Sequence, residues 1–324
     1  MNHCEMQANS LDLSVSVIVP VKNDSERLHC CLASLNRLPR RPEIVVVDNG
    51  STDGSAQVAS SMGATTLVFP GLKVGALRNR GVAGCHGNVL AFVDSDHEVP
   101  EDWMQQGLAV LAEGSGVVAC GSHYLPPQNG TWVQRVWAIH RLRGAARNDD
   151  SEWLGAGNLF VLRSAFEAVG GFREDLVAAE DVDLCHRLQL GSGRIVCDKN
   201  IRSIHHGEPK TLRDFVRKEY WRGSSGLRAW AVQGFPARDL PSFLWPLWHL
   251  ILGLVVVGLL TWTAFHPSRL YVIAWLVSVA FWVGPSILLS TKTCFQGGEI
   301  AKLPQLAILY FVYGLTRAMA LFKA

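Results

Sequence analysis

Two long segments near the C-terminus carry no Asp, Glu, Lys or Arg side chain. They are residues 243–265, with 23 positions, and residues 270–290, with 21. A helix that crosses a bilayer needs about 20 mainly apolar residues, whereas a buried helix of a soluble protein seldom stays uncharged over such a length. We therefore expect two membrane spans, joined as a helical hairpin by the short linker 266–269.

A third apolar segment, residues 303–322, is less uniform because it contains Pro304, Gln305 and Arg317. Both a third span and a helix lying in the membrane interface fit this composition. The segment 241–324 as a whole is predicted to be a membrane anchor with two spans and this undecided third element.

The charged residues divide the chain at the same place. Residues 1–240 hold 52 of the 58 charged side chains, and the net charge is only +2, so no nucleic-acid partner is expected. Basic residues gather in 210–240, which we interpret as a basic amphipathic juxtamembrane segment. The positive-inside rule then places residues 1–240 in the cytoplasm and predicts a multi-pass protein of the cytoplasmic (inner) membrane. The N-terminal tail 1–13 lacks the pattern of a signal peptide.

The remaining segment, 14–209, alternates short apolar runs with helical stretches. Strands are predicted at residues 15–20, 43–47, 65–69, 88–93 and 117–121. This order predicts an α/β domain with a mostly parallel sheet and helices on both faces. Ligands of such sheets bind at the carboxyl ends of the strands. The sequence has no GxGxxG, GxxxxGK[ST] or GxSxG motif, which disfavours dinucleotide, P-loop and serine-elbow chemistry.

Acidic residues directly follow two of the predicted strands. Asp48 opens the sequence DNGSTD, where a carboxylate can bind a nucleobase or ribose, or can simply stabilise a turn and a helix start. Asp94 and Asp96 follow the fourth strand, where two carboxylates can bind a hard divalent cation such as Mg²⁺ or Mn²⁺, or can form an acidic loop.

Two further clusters come later in the chain. Glu180 and Asp181 open the sequence EDVD, where a carboxylate can act as a general base or as a helix cap. His205 and His206 are adjacent, so a single metal ion would take one of them, and a structural role for the pair is the alternative. Each cluster alone leaves both readings open.

The order of these clusters resembles that of inverting family 2 glycosyltransferases, which have a GT-A fold. The matching stretches are VSVIVPVKND (15–24), EIVVVDNGSTDGS (43–55), GALRNRGVAGCHGNVLAFVDSDHEVPEDW (75–103) and GAGNLFVLRSAFEAVGGFREDLVAAEDVDLCHRL (155–188). They cover most of residues 14–206, and their joint pattern is specific although the DSD element alone is weak.

The resemblance implies a role for each matching residue. Those implied to bind the nucleotide-sugar donor are Pro20, Val21, Asn23, Asp48, Asp53, Arg78, Arg80, Asp94 and Ser95. Those implied to hold Mg²⁺ or Mn²⁺ are Asp94, Asp96 and one of His205 and His206, with His205 preferred. Asp181 would be the catalytic base, with Glu180 beside it contacting the acceptor, and Gly157 and Asn158 would shape the acceptor site. Asp53 is more peripheral, because a helix cap also explains it.

The sequence departs from the family pattern at two places. Asn49 stands where many members have a second acidic residue. The QxxRW motif of processive members is replaced by residues 217–221, in which only Trp221 is retained, so a polymerising synthase is not expected. Trp221 is assigned to the acceptor side, and an interfacial helix explains the same segment.

The predicted activity is metal-dependent transfer of a sugar, with inversion, from a UDP- or GDP-sugar to a hydroxyl acceptor. The membrane anchor favours a lipid-linked acceptor or a carbohydrate precursor of a polysaccharide. A sugar nucleotidyltransferase is the enzymatic alternative, but residues 20–24 lack the glycine-rich loop that it needs after the first strand. A catalytically degenerate membrane scaffold is the second alternative, and the retained Asp94, Asp96 and Asp181 argue against it.

Overall fold

The computed structural model describes residues 13–114, 116–142, 149–224 and 240–323. Most of the predicted tail 1–13 and residues 225–239 of the predicted basic segment lie outside the described residues. The chain divides into two compact units. The first comprises Met1–Gln128 and Gly144–Glu208, and the second comprises Asn129–Arg143 and Pro209–Ala324.

The first unit alternates strands and helices. Its strands are β1 (Val15–Val21), β2 (Glu43–Asp48), β3 (Thr65–Val68), β4 (Val89–Val93), β5 (His97–Glu98), β6 (Val117–Gly121), β7 (Asp149–Asp150), β8 (Asn158–Leu162), β9 (Arg194–Cys197) and β10 (Ile204–His205). Its helices are α1 (Ser25–Asn36), α2 (Ser55–Ser61), α3 (Val74–Ala83), α4 (Trp103–Ala112), α6 (Arg163–Ala168) and α7 (Glu180–Leu190), and α5 (Trp132–Leu142) belongs to the second unit. The five predicted strands are all present.

Eight strands form one sheet in the order β3-β2-β1-β4-β8-β6-β9-β7. The first four are parallel, β8 is antiparallel to both β4 and β6, and β6 and β9 are again parallel. β5 and β10 form a separate antiparallel pair in which His97 lies opposite His205. The sheet is therefore mostly parallel, as predicted.

Both faces of the sheet are covered, because alternate residues of each strand enter different cores. From β1, Val17 and Val19 pack with helices α1 and α4, while Ile18 packs on the other face with α3 and α7. The near-continuous apolar composition of the strands follows from this double burial. Because β1, β2 and β4 are parallel, their carboxyl ends share one edge of the sheet.

The second unit is helical. Besides α5, its helices are α8 (Leu212–Ser224), α9 (Leu240–Phe265), α10 (Arg269–Gly297) and α11 (Leu303–Ala320). Trp137 of α5 packs in one cluster with Phe215 of α8 and with Leu309 and Tyr310 of α11. The sequence analysis placed the residues of α5 in the segment 14–209. In the structure the buried side chains of α5 pack against the C-terminal helices α8 and α11.

Two helices among the described residues are long and apolar enough to cross a membrane, Leu244–Phe265 and Arg269–Gly297. Most of their large apolar side chains are exposed, including Leu254, Phe265 and Leu288. α11 does not qualify by the same measure of length and apolarity. Length and composition alone are weak evidence for a membrane span, so the spans remain predictions at this point.

Candidate active site

The carboxyl edge of the sheet is organised by hydrogen bonds between the loops after β1 and β2. Asn23, after β1, has a left-handed φ of 51°, and its Oδ1 accepts a hydrogen bond from Thr52 N at 2.8 Å. Ser51 Oγ accepts from Asn23 N at 2.9 Å and donates to Asp48 Oδ1. The two loops form one surface, and Pro20 lies in the strand end that carries it.

Asp48 and Asp53 both support this surface through local hydrogen bonds. Asp48 is 1% exposed, and its Oδ1 accepts from Ser51 N at 2.9 Å. Asp53 accepts from Ser25 N at 2.8 Å, at the start of α1, and from Ser55 N at 3.1 Å, at the start of α2. The hydrogen bonds from Ser55 and Ser25 lower the pKa of Asp53 to about 2. In this structure Asp48 stabilises a turn, and Asp53 stabilises the starts of α1 and α2. Contact of either residue with a nucleotide-sugar donor stays a prediction.

Arg78 links the end of β4 to the start of α7. Its Nη2 donates to Asp94 Oδ1 and its Nη1 donates to Glu180 Oε1, both at 2.7 Å. The guanidinium is 3% exposed and lies 5.4 Å from the centre of the Phe172 ring. Burial acts to lower the pKa of Arg78, but the charges of Asp94 and Glu180 raise it above its usual range. Arg78 is thus a permanent cation that holds two predicted site residues together.

Three side chains next to this network form a candidate metal centre. One ligand atom from each of Asp96, His97 and His205 lies within 4.8 Å of the others. Asp96 Oδ2 is 3.1 Å from His205 Nε2, and the imidazoles of His97 and His205 stack with centroids 4.5 Å apart. His97 Nε2 is buried and has no hydrogen-bond partner among the described residues. An orphaned imidazole nitrogen beside a carboxylate fits a divalent cation.

The protonation states of His97 and Asp96 suit such a ligand set. Burial and the neighbouring His205 lower the pKa of His97 to about 3, so its ring is neutral. Burial opposes the charge of Asp96, but the hydrogen bond and charge of His205 hold the pKa of Asp96 well below its usual range. Burial likewise opposes the charge of His205, whereas Asp96 and Glu208 raise its pKa. A neutral imidazole and an ionised carboxylate are the forms in which these groups bind metals.

The other predicted metal-site residues lie differently. His206 Nε2 is 3.1 Å from Glu98 Oε1, and His206 does not belong to the three-residue cluster. Asp94 is bonded to Arg78, and Ser95 Oγ donates to Asp24 Oδ2 at 3.1 Å. Between the two adjacent histidines, the structure brings His205 to the cluster. The sequence analysis missed His97, although its position directly after Asp96 was available as an indication.

Asp181 lies at the start of α7, directly after Glu180. It is half-buried, and its Oδ1 accepts from Val182 N at 2.9 Å. Burial and the charge of Glu180 raise the pKa of Asp181 to about 7, even though Arg78 acts in the opposite direction. Ala179, which precedes the pair, has a left-handed φ of 62°, an uncommon conformation for a residue with a side chain. A carboxyl with this pKa can exchange a proton near neutral pH.

The two residues predicted to shape the acceptor site have different surroundings. A Cβ on Gly157 would lie 2.9 Å from Asp94 Oδ2 and 3.0 Å from His97 Nε2, so a glycine keeps this part of the site open. Asn158 is fully buried. Its Oδ1 accepts from Trp103 Nε1 at 2.7 Å, and its Nδ2 donates to the carbonyl oxygens of Ile201 and Ser122. Its amide therefore has structural partners, and its part in the acceptor site stays a prediction.

Three remaining candidates have the following surroundings. Arg80 Nη1 is 3.3 Å from Glu174 Oε1, and both side chains are about 40% exposed. Val21 is buried at the end of β1, where its carbonyl oxygen accepts from Asn49 N. Trp221 is exposed on α8 of the second unit. Their predicted contacts with substrates remain predictions.

The mostly parallel sheet agrees with comparisons to known proteins. The family model described as Glycosyl transferase family 2 matches residues 16–170. The chain is similar to glycosyltransferase family 2 over these residues, which are close to half of its length. It is therefore an enzyme of the glycosyltransferase class, as the sequence analysis predicted.

Relatives and solved structures support this assignment. Glycosyltransferase AglE of Haloferax volcanii is 26% identical over 251 residues, which cover 73% of this chain and 80% of that protein. A pre-mycofactocin glycosyltransferase of Mycobacterium tuberculosis is 27% identical over 223 residues, which cover 65% of this chain but only 46% of that protein. The mannosyltransferase PcManGT from Pyrobaculum calidifontis superposes with a TM-score of 0.62 at 17% identity, covering 91% of this chain and 86% of that one. The GT-A-like fold is thereby confirmed.

Proposed function

We propose that this glycosyltransferase transfers a sugar, with inversion, from a UDP- or GDP-sugar to a hydroxyl group of its acceptor. The observation that carries the proposal is the half-buried carboxyl of Asp181, whose pKa is raised to about 7 beside the Arg78–Glu180 ion pair. A general base works best when its pKa lies near the working pH. The mannosyltransferase of the same fold was solved with GDP-mannose and Mn²⁺, which supports a nucleotide-sugar donor.

In this reaction Asp181 takes the proton of the acceptor hydroxyl while that oxygen attacks the anomeric carbon of the donor. The bond from the anomeric carbon to the donor phosphate breaks, and the nucleoside diphosphate leaves with the bonding electrons. Arg78 holds Glu180 and Asp94 in place by hydrogen bonds, so that the base and the donor side of the site keep their relative positions. A single displacement of this kind inverts the configuration of the sugar.

Asp96, His97 and His205 are the residues that would hold a divalent cation. A bound cation supplies positive charge that stabilises the departing nucleoside diphosphate. Asp94 stays on the donor side through its ion pair with Arg78.

We further propose that the enzyme works at the cytoplasmic face of the cytoplasmic membrane on a lipid-linked or carbohydrate acceptor. The support is the exposed apolar surface of α9 and α10, which hydrocarbon would cover, and the basic residues of α8, which suit anionic lipid headgroups. A membrane anchor brings the site to an acceptor that is itself held in the bilayer.

The test is the release of nucleoside diphosphate from a panel of UDP- and GDP-sugars, with and without added membrane lipid extract. We expect release from one donor class, stimulated by the extract. The variant Asp181→Asn should lose at least about a hundredfold in transfer rate while it still binds the donor. The variant Asp175→Asn, which alters an exposed carboxylate paired with Arg173, is the matched control and should stay active.

Three results would overturn the proposal. Full transfer activity of Asp181→Asn would remove the assignment of the base. Release of inorganic pyrophosphate from a nucleoside triphosphate and a sugar phosphate, without sugar transfer, would instead identify a nucleotidyltransferase. Failure of every donor in the panel would favour a non-catalytic membrane scaffold.

A further inference from the structure

Tyr124 lies in the loop after β6, and backbone hydrogen bonds hold this loop beside β10. Leu125 N donates to Ser203 O at 2.8 Å, and His205 N donates to Leu125 O at 3.0 Å. The same Ser203 places its Oγ 3.0 Å from His97 Nδ1. These contacts fix the backbone of the loop against the two histidines of the candidate metal centre.

The ring of Tyr124 contacts both histidines edge-on. Its centroid lies 4.6 Å from that of His97, at an interplanar angle of 87°, and 5.1 Å from that of His205, at 71°. The two imidazoles already stack on each other. The tyrosine ring therefore closes a three-ring cluster that limits how either imidazole can turn.

The hydroxyl of Tyr124 lies on the side of the catalytic base. A Cβ on Gly155 would collide with Tyr124 Oη and would lie 3.7 Å from Asp181 Oδ2. The hydroxyl and the carboxylate thus both lie beside Gly155, where a Cβ would collide with the hydroxyl. One tyrosine consequently reaches both the metal-binding side and the base side of the site.

We propose that Tyr124 is a positioning residue with two separable functions, and this proposal rests on the proposed function of Asp181 as the base. Its ring orients His97 and His205 for metal binding. Its hydroxyl orients the carboxylate of Asp181 towards the acceptor. If Tyr124 served only for packing, loss of its hydroxyl would not change the reaction rate.

Two substitutions in the full-length protein separate the ring from the hydroxyl. Tyr124→Phe keeps the ring and removes the hydroxyl, whereas Tyr124→Leu removes both. Mn²⁺ binding is measured by calorimetry without donor, and the rate of nucleoside diphosphate release is measured with the active donor. Tyr271→Phe, on α10, is the matched control for the loss of a tyrosine hydroxyl and should change neither quantity.

For Tyr124→Phe we expect unchanged Mn²⁺ affinity and unchanged donor KM, with a kcat about tenfold lower, the loss typical of one hydrogen bond. For Tyr124→Leu we expect the same loss of kcat and, in addition, Mn²⁺ affinity lower by about tenfold, as for other residues that orient metal ligands. The split between the two variants is a result that a packing role would not produce.

The outcomes distinguish this inference from the proposed function. If the wild-type protein transfers sugar and Tyr124→Phe keeps its full kcat, the hydroxyl function is wrong while the base assignment stands. Wild-type Mn²⁺ affinity in Tyr124→Leu overturns the ring function, whatever the activity. If the wild-type protein releases no nucleoside diphosphate from any donor, the proposed function is wrong, and the hydroxyl function is wrong with it.

Discussion

Arg78 is a buried cation whose charge is matched on both sides. It bonds Asp94, 16 residues away in sequence, and Glu180, 102 residues away, and its side chain is 4% exposed. A buried charge is tolerated only when it is paired, and removal of one partner leaves the other uncompensated. This residue therefore joins Asp94, after β4, to the start of α7, where Glu180 precedes Asp181.

At the same scale, the raised pKa of Asp181 predicts the pH dependence of the reaction. The base must be ionised to accept a proton, and its pKa is raised to about 7. kcat/KM should therefore rise with pH, with a midpoint near 7, and level off at higher pH. The measurement is kcat/KM for nucleoside diphosphate release between about pH 5 and pH 9. A midpoint near the usual carboxyl pKa of about 4 would contradict the assignment.

His97 and His206 make a matched pair for testing the candidate metal centre. His97→Ala should weaken Mn²⁺ binding by at least about tenfold, because it removes a buried nitrogen of the cluster. His206→Ala should leave Mn²⁺ binding unchanged, because the imidazole of His206 lies against Glu98 outside the cluster. Calorimetric titration of both variants with Mn²⁺ is the measurement. The reverse result would place the metal at His206.

At the scale of elements, β8 is a central strand of the main sheet that the sequence analysis did not predict. It runs antiparallel between β4 and β6, and its first residue is the fully buried Asn158. The amide of Asn158 bonds the Trp103 indole of α4 and the Ile201 carbonyl in the loop before β10. One side chain thus ties the sheet to a covering helix and to the loop that leads to His205.

Replacement of this amide should cost more stability than an ordinary surface change. Asn158→Leu would leave the Trp103 N–H and the Ile201 carbonyl buried without their partner, at a cost of roughly 2–4 kcal/mol. Urea denaturation of the detergent-solubilised protein, monitored by intrinsic fluorescence, measures the change. Asn88→Ala, at an exposed position, is the control and should be nearly neutral. Equal stability of the two variants would refute the structural role.

At the scale of the whole molecule, the two units have surfaces of different chemistry. In the first unit, apolar side chains are buried on both faces of the sheet. In the second unit, α9 and α10 leave large apolar residues such as Leu254, Phe281 and Leu288 exposed. Such a surface is costly in water, and a lipid bilayer is the environment that would cover it.

A single charge in the middle of α10 tests this interpretation. Phe281→Arg places a guanidinium near the centre of the proposed span, which disfavours insertion by roughly 3 kcal/mol. The fraction of protein that resists alkaline carbonate extraction from membranes should fall. Leu190→Arg, at an exposed apolar position of the first unit, is the control and should stay membrane-bound. If both variants behave like the wild type, the exposed face of α10 does not contact lipid.

Local patterns were sufficient to predict the five strands named in the sequence analysis and the two long apolar helices α9 and α10. They also predicted that acidic residues lie at the carboxyl edge of the sheet. Periodicity and charge are properties of neighbouring residues, and a strand buried on both faces must be apolar throughout. The family resemblance added roles for Asp94, Asp96 and Asp181, which the acidic clusters had already singled out. In the structure Arg78 joins Asp94 to Glu180, the residue directly before Asp181.

Only the folded chain could decide between side chains that are adjacent in sequence or distant from each other. The antiparallel register of β10 and β5 sets His205 opposite His97 and turns His206 towards Glu98. Burial beside Glu180 raises the pKa of Asp181, and the amide of Asn158 donates a hydrogen bond to the carbonyl oxygen of Ile201. Each of these outcomes depends on register, burial or a partner far along the chain, and no local pattern of residues encodes them.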